Sequence, residues 1–143
     1  MKTGFDLRLH HVGIVVPVIE ERRSFYTDVL RYRQRTPVIH DPVQTAFVQF
    51  FLIPGSDHYI ELVAPDSESS KLWNASRKRL PLNHLCYSCA KIAETVSSLE
   101  ESGCFIIQEP APAVAFDGRS IAWLKTPERM LIEIVERGLE GSL

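Results

Sequence analysis

The sequence predicts an α+β fold of two tandem βαβββ modules, eight strands in all, that share one metal site. Two repeats predict it. Glu61 follows His11 by 50 residues and Glu133 follows His84 by 49, so a His–Glu pair occurs twice at nearly one spacing. The copies are offset by 73 residues for the histidines and 72 for the glutamates, about half of the 143-residue chain. The surroundings repeat as well: Leu9-His10-His11-Val12-Gly13-Ile14-Val15-Val16 echoes Leu82-Asn83-His84-Leu85-Cys86-Tyr87-Ser88-Cys89, and Tyr59-Ile60-Glu61-Leu62-Val63 echoes Leu131-Ile132-Glu133-Ile134-Val135. A duplicated module that carries one His and one Glu places four metal-ligand side chains around one centre.

A chain of this length is one domain, able to bury roughly two-thirds of its unfolded surface, whereas a half of about 70 residues is marginal alone. One domain therefore spans 1–143, with module one at about 7–64, a linker at 65–81 and module two at about 82–137.

Module one opens with a strand at Leu7–Val16. Ile19–Leu30 reads as a helix after Pro17, with Ile19, Tyr26, Val29 and Leu30 able to share a face. Strands at Arg31–Ile39 and Val43–Ile53 flank a His40-Asp41-Pro42 turn, and Pro54-Gly55-Ser56-Asp57 turns into a fourth strand at His58–Ala64. Pro65–Pro81 is polar, with room for a short helix around Ser70–Arg77. Module two repeats the order: a strand at Asn83–Cys89, then a helix at Ile92–Gly103 with Ile92, Val96 and Leu99 on one stripe and Gly103 as its stop. Strands follow near Cys104–Gln108, Ser120–Lys125 and Met130–Glu136.

The key residues sit in strands, so alternation tests whether they converge. His11 shares a face with Gly13 and Val15, Glu61 with Tyr59 and Val63, His84 with Cys86 and Ser88, and Glu133 with Leu131 and Val135. The opposite faces are apolar and suit packing against helices. Taken singly, a strand histidine or a glutamate in Ile-Glu-Leu is a structural or solvated residue. Recurrence of both at matching register, among aliphatic neighbours that imply burial, calls for a compensating cation.

Other features point elsewhere. His10 faces away from His11, and His40 and His58 lie in or beside turns without a counterpart in the other half. Lys71, Arg77, Lys78 and Arg79 form a solvated linker face, or a weak clamp for a phosphorylated substrate. A net charge of −2 argues against nucleic acid. Three cysteines make no disulfide framework, and Cys86 and Cys89, an odd separation apart in a strand, point to opposite faces. A reducing cytoplasm is the resulting expectation. Val12–Ile19 is too short for a membrane span or a signal segment.

His11-Val12-Gly13-Ile14-Val15-Val16, Ile60-Glu61-Leu62-Val63-Ala64-Pro65-Asp66-Ser67, His84-Leu85-Cys86-Tyr87 and Leu131-Ile132-Glu133-Ile134-Val135 resemble the vicinal oxygen chelate (glyoxalase, bleomycin resistance, dioxygenase) superfamily. The resemblance covers about residues 8–137 and is closest to the branch of methylmalonyl-CoA epimerases and bacterial glyoxalase I-type lyases, which implies that the two modules form a curled eight-stranded mixed sheet around a metal-binding cleft. It implies one divalent ion (nickel, cobalt, zinc or manganese) held by His11, Glu61, His84 and Glu133. It implies a metal-dependent isomerase or lyase that moves a proton alpha to a chelated carbonyl of a small-molecule carbonyl or thioester substrate, with Glu133 and Glu61 as acid and base. Some epimerases of the branch carry an extra carboxylate on the third strand of module one. Here Val43–Ile53 has none, and Thr45 and Gln49 occupy the plausible positions. The alternative from another class is a small-molecule-sequestering protein of the same fold, whose relatives usually lack the full ligand set. A ring-cleaving dioxygenase ranks lower because a fourth ligand, Glu61, crowds the ion. The expected assembly is an intrachain cleft with a homodimer formed elsewhere.

Overall fold

The computed structural model of the protein describes residues 6–143. They fall into two compact units, one of residues 11–83 and the other of residues 6–10 with 84–143. The boundary lies within the first strand, β1 (Arg8–Val15).

In the unit of residues 11–83, β1 leads to α1 (Ile19–Ser24), then β2 (Arg33–Gln34), β3 (Ile39–Asp41), β4 (Ala46–Leu52), β5 (Tyr59–Pro65) and α2 (Trp73–Arg77). β1 pairs parallel with β5, and β4 pairs antiparallel with β5, β2 and β3. Val16, Ile19, Phe51, Leu62 and Ala64 form the core on the helix side, with Ile14, Ile60 and Tyr26 packed against it. Each large aliphatic or aromatic side chain buried there contributes about 1.5–3 kcal/mol. The apolar strand face expected to meet the helix does so.

Three local expectations are corrected. The strand expected at Arg31–Ile39 is two short strands, β2 and β3, so the described residues hold nine strands rather than eight. The ladder to β4 breaks at Pro37, which has no N–H to donate, while the amide of Arg35 bonds Phe50 O at 2.9 Å and Thr36 Oγ1 accepts from the Phe50 amide at 3.1 Å. The expected His40-Asp41-Pro42 turn moves downstream, since His40 and Asp41 belong to β3. Asp41 Oδ1 accepts from the amides of Val43 and Gln44, both at 3.1 Å, and the chain reverses through Thr45 at φ +57°. Finally, the helix expected over Ile19–Leu30 changes winding. Its second half, Phe25–Val29, is a π-helical turn in which the Leu30 amide bonds Phe25 O at 3.1 Å. The wider turn rotates its last residues off the apolar stripe. Ile19 is buried, but Val29 is 63% exposed and Leu30 38%.

In the other unit, β6 (Leu82–Cys89, its first two residues within residues 11–83) leads to α3 (Ile92–Glu101), β7 (Phe105–Pro112), β8 (Ser120–Lys125) and β9 (Leu131–Glu136). β6 pairs parallel with β9, and β8 pairs antiparallel with β9 and with β7. Ile92, Val96 and Leu99 of α3 pack on Cys89, Ala122, Leu124, Ile132 and Ile134. Gly103, at φ +104°, lets the chain fold back so that the Cys104 amide reaches Leu99 O at 3.0 Å, closing the helix as the sequence predicts. Both units thus carry a strand–helix–strands order in which the first and last strands lie parallel. Among the described residues, no helix is long and apolar enough to cross a membrane.

Candidate metal centre

Each unit brings one His and one Glu together. In β1 and β5, Gly13 lies beside Glu61 and His11 beside Tyr59. Alternation then puts His11 and Glu61 on one face, turned away from the α1 core. His11 Nε2 stands 3.4 Å from Glu61 Oε1, with side-chain exposures of 0% and 7%. In β6 and β9, Cys86 lies beside Glu133, and His84 Nε2 stands 3.6 Å from Glu133 Oε1, with side-chain exposures of 2% and 5%. The pairs predicted from the repeat therefore form, in the same way, in both halves.

The residues fit a metal. Burying a carboxylate is costly without a positive partner. The N–O separations exceed the usual 2.7–3.2 Å of a hydrogen bond. Donors bound to one divalent ion at about 2.1 Å stand about 3–3.5 Å apart, close to the 3.4 and 3.6 Å here. His11, Glu61, His84 and Glu133 are all buried, and each offers a side-chain atom able to ligate an ion.

The sequence reading missed two aromatic residues beside these pairs. Phe50 lies opposite Glu61 across β4–β5, and its ring meets His11 edge-on with centroids 5.2 Å apart. Trp123 lies opposite Glu133 across β8–β9, and its ring meets His84 edge-on at 4.8 Å. The signal was there. Phe50 precedes Glu61 by 11 residues and Trp123 precedes Glu133 by 10, and the two aromatics stand 73 residues apart, the same offset as the histidines.

The strand on which some epimerases of the branch carry a second base has no acid here, as the sequence shows. Gln49 is buried on the opposite face from Glu61, where its Oε1 accepts from Arg23 Nε at 3.0 Å and its amide donates to Thr36 O at 2.9 Å. Thr45 is held in the β3–β4 turn, where its hydroxyl donates to Gln44 O at 2.6 Å. The residues of β4 on the Glu61 face are Ala46, Val48, Phe50 and Leu52.

The remaining histidines lie elsewhere. His10 stacks edge-on against Phe116, and His40 Nε2 meets Asp66 Oδ2 at 2.9 Å near the surface. Cys89 sits in the α3 core while Cys86 faces with His84, and neither is in a disulfide. Lys71 of the basic cluster donates to Val43 O at 3.3 Å.

Tandem strand–helix–strands units, each closing a buried His–Glu pair through a parallel strand pair, define the class. The profile of the Glyoxalase/Bleomycin resistance protein/Dioxygenase superfamily matches residues 10–123, and the chain belongs to that superfamily. Within it, the chain is 27% identical over 119 residues to the ethylmalonyl-CoA/methylmalonyl-CoA epimerase of Cereibacter sphaeroides, covering 82% of this chain and 87% of that one. It is 28% identical over 134 residues to the uncharacterized protein YqjC of Bacillus subtilis, covering 90% and 91%. The crystal structure of methylmalonyl-CoA epimerase from Mycobacterium tuberculosis superposes with a TM-score of 0.79 at 25% identity, covering 98% of this chain and 95% of that one.

Proposed function

We propose that the protein is a metal-dependent epimerase of 2-carboxyacyl thioesters, with methylmalonyl-CoA as the representative substrate. The observation that carries this is the pair of buried His–Glu contacts at equivalent register, together with similarity to proteins named as such epimerases. In this reading the chain is one domain, and His11, Glu61, His84 and Glu133 share one divalent ion in an intrachain cleft.

When bound, the ion would act as a Lewis acid toward the substrate's carbonyl oxygen. The chain's own residues do the rest. Glu133 accepts the proton from the carbon between thioester and carboxylate, the C–H electron pair passing into the carbonyl system. Glu61 supplies a proton to the opposite face of the resulting planar carbon, which inverts the centre. Assigning the second proton transfer to Glu61 follows from β4, whose residues on the Glu61 face (Ala46, Val48, Phe50 and Leu52) carry no acid. Surrounding apolar side chains exclude water and strengthen both electrostatic effects.

The test is proton–deuterium exchange at the α-carbon of methylmalonyl-CoA in deuterated water, with zinc-, cobalt-, nickel- and manganese-loaded protein. A hemithioacetal of methylglyoxal serves as the competing substrate. Exchange on the thioester supports the reading. Turnover of the hemithioacetal alone makes the protein a lyase, and folded, metal-loaded protein inert toward both removes the proton-transfer assignment.

A further inference from the structure

The two units place an aromatic ring at one equivalent position, and the two rings differ in chemistry. Phe50 and Trp123 each face a site glutamate across an antiparallel pair and each meet the site histidine edge-on, at interplanar angles of 79° and 82°. Phe50 satisfies that packing with a plain phenyl ring. The indole of Trp123 brings an N–H that the ring contact does not require.

That N–H is buried and has no hydrogen-bond partner among the described residues. An indole N–H can only donate, and a buried donor left unmade is costly. A phenylalanine would remove the cost. Two residues along the same strand face, Lys125 adds a cation, and Gln108 stands opposite Trp123 across β7–β8. Going outward from Glu133, the sheet face therefore runs through an N–H donor to an amide, with a positive charge alongside.

We propose that the Trp123 indole N–H donates to a substrate oxyanion held beside Glu133, making Trp123 the residue that selects substrates with a carboxylate next to the reacting carbon. The inference rests on the epimerase reading for the identity of that carboxylate. Its chemistry is that of a carboxylate in general. The buried donor lacks only an acceptor.

The experiment uses full-length, zinc-loaded protein with indole-¹⁵N tryptophan. The chain has two tryptophans, Trp73 and Trp123, so Trp73 is an internal reference and Trp123→Phe assigns the signals. Titration with oxalate, a chelating dicarboxylate, should move the Trp123 indole proton downfield and leave Trp73 in place. Trp123→Phe should hold zinc as tightly as the parent. It should bind oxalate, and use methylmalonyl-CoA in kcat/KM, about 10- to 100-fold less well, the loss expected for a hydrogen bond to a charged group. Oxalate that does not bind, or that binds with the Trp123 signal unmoved, overturns the inference. Wild-type protein inactive on the thioester refutes the epimerase reading separately, and the indole shift still decides the role of Trp123.

Discussion

Cys86 lies directly beside Glu133 across the parallel β6–β9 pair and is wholly buried. Gly13 holds the corresponding place beside Glu61. In both halves a small residue adjoins the glutamate, which leaves its carboxylate room to reach the histidine. Cys86→Ala should therefore hold zinc within a few-fold of the parent. Cys86→Phe should crowd Glu133, at an overpacking cost of about 1–3 kcal/mol, and lower zinc affinity tenfold or more. Calorimetric titration with zinc checks this, and equal affinity in the Phe variant would show that the neighbouring position is roomier than the pairing implies.

Metal binding to the folded state alone must raise stability by mass action. At a hundredfold excess over Kd the gain is about 2.7 kcal/mol. For a domain of this size that is roughly a 10 °C rise in Tm. Adding a chelator should reverse it, and His84→Ala should show neither the rise nor the reversal. An unchanged melting curve with and without metal would count against an ion at this centre.

Glu133→Gln should keep the fold and part of the metal affinity, since an amide oxygen still coordinates, and lose turnover by about a hundred-fold to ten-thousand-fold. Glu61→Gln should show the complementary pattern if Glu61 protonates the opposite face: exchange at the α-carbon persists while racemisation falls. Exchange lost in both variants to the same degree would make the two carboxylates one functional unit rather than two bases.

Burial raises the Cys89 thiol above its ordinary value of 9.0, with Thr95 and Arg137 opposing the shift and Glu136 and Asp6 adding to it. Linkage sets the sign: the folded state favours the protonated thiol. The associated stability is present below the unfolded-state value near 9 and is lost as pH rises through the higher folded value. Denaturant melts between pH 8 and 10.5 should show a decline that Cys89→Ala flattens. A decline of equal slope in the variant assigns it to other groups.

Much of this was legible in the sequence because the informative residues are strand residues with a strict two-residue period. His11, Glu61, His84 and Glu133 fell on the same faces as predicted, and the α3 stripe of Ile92, Val96 and Leu99 packed as its spacing implied. What was not legible depended on hydrogen-bond partners distant in sequence or on a choice between near neighbours. Nothing local says that the Leu30 amide reaches Phe25 rather than Tyr26, so the π-helical turn and the exposure of Val29 were hidden. Gln49, at a plausible position for the extra carboxylate of some epimerases, lies on the face opposite Glu61 because pairing sets Phe50 beside Glu61, and Arg23 and Thr36 claim it there. Phe50 and Trp123 were overlooked for a different reason: aromatic residues in strands read as core by default.

The parallel pairing of β1 with β5 and of β6 with β9 has a kinetic consequence. Neither histidine can meet its glutamate until strands about 50 residues apart in sequence have docked, after the helix and hairpin between them exist. Contacts of such long range form late on the route from the unfolded chain. An ion that bound only to completed pairs would then have little to hold in the transition state; it would act as a latch on the finished protein and slow unfolding far more than it hastened folding.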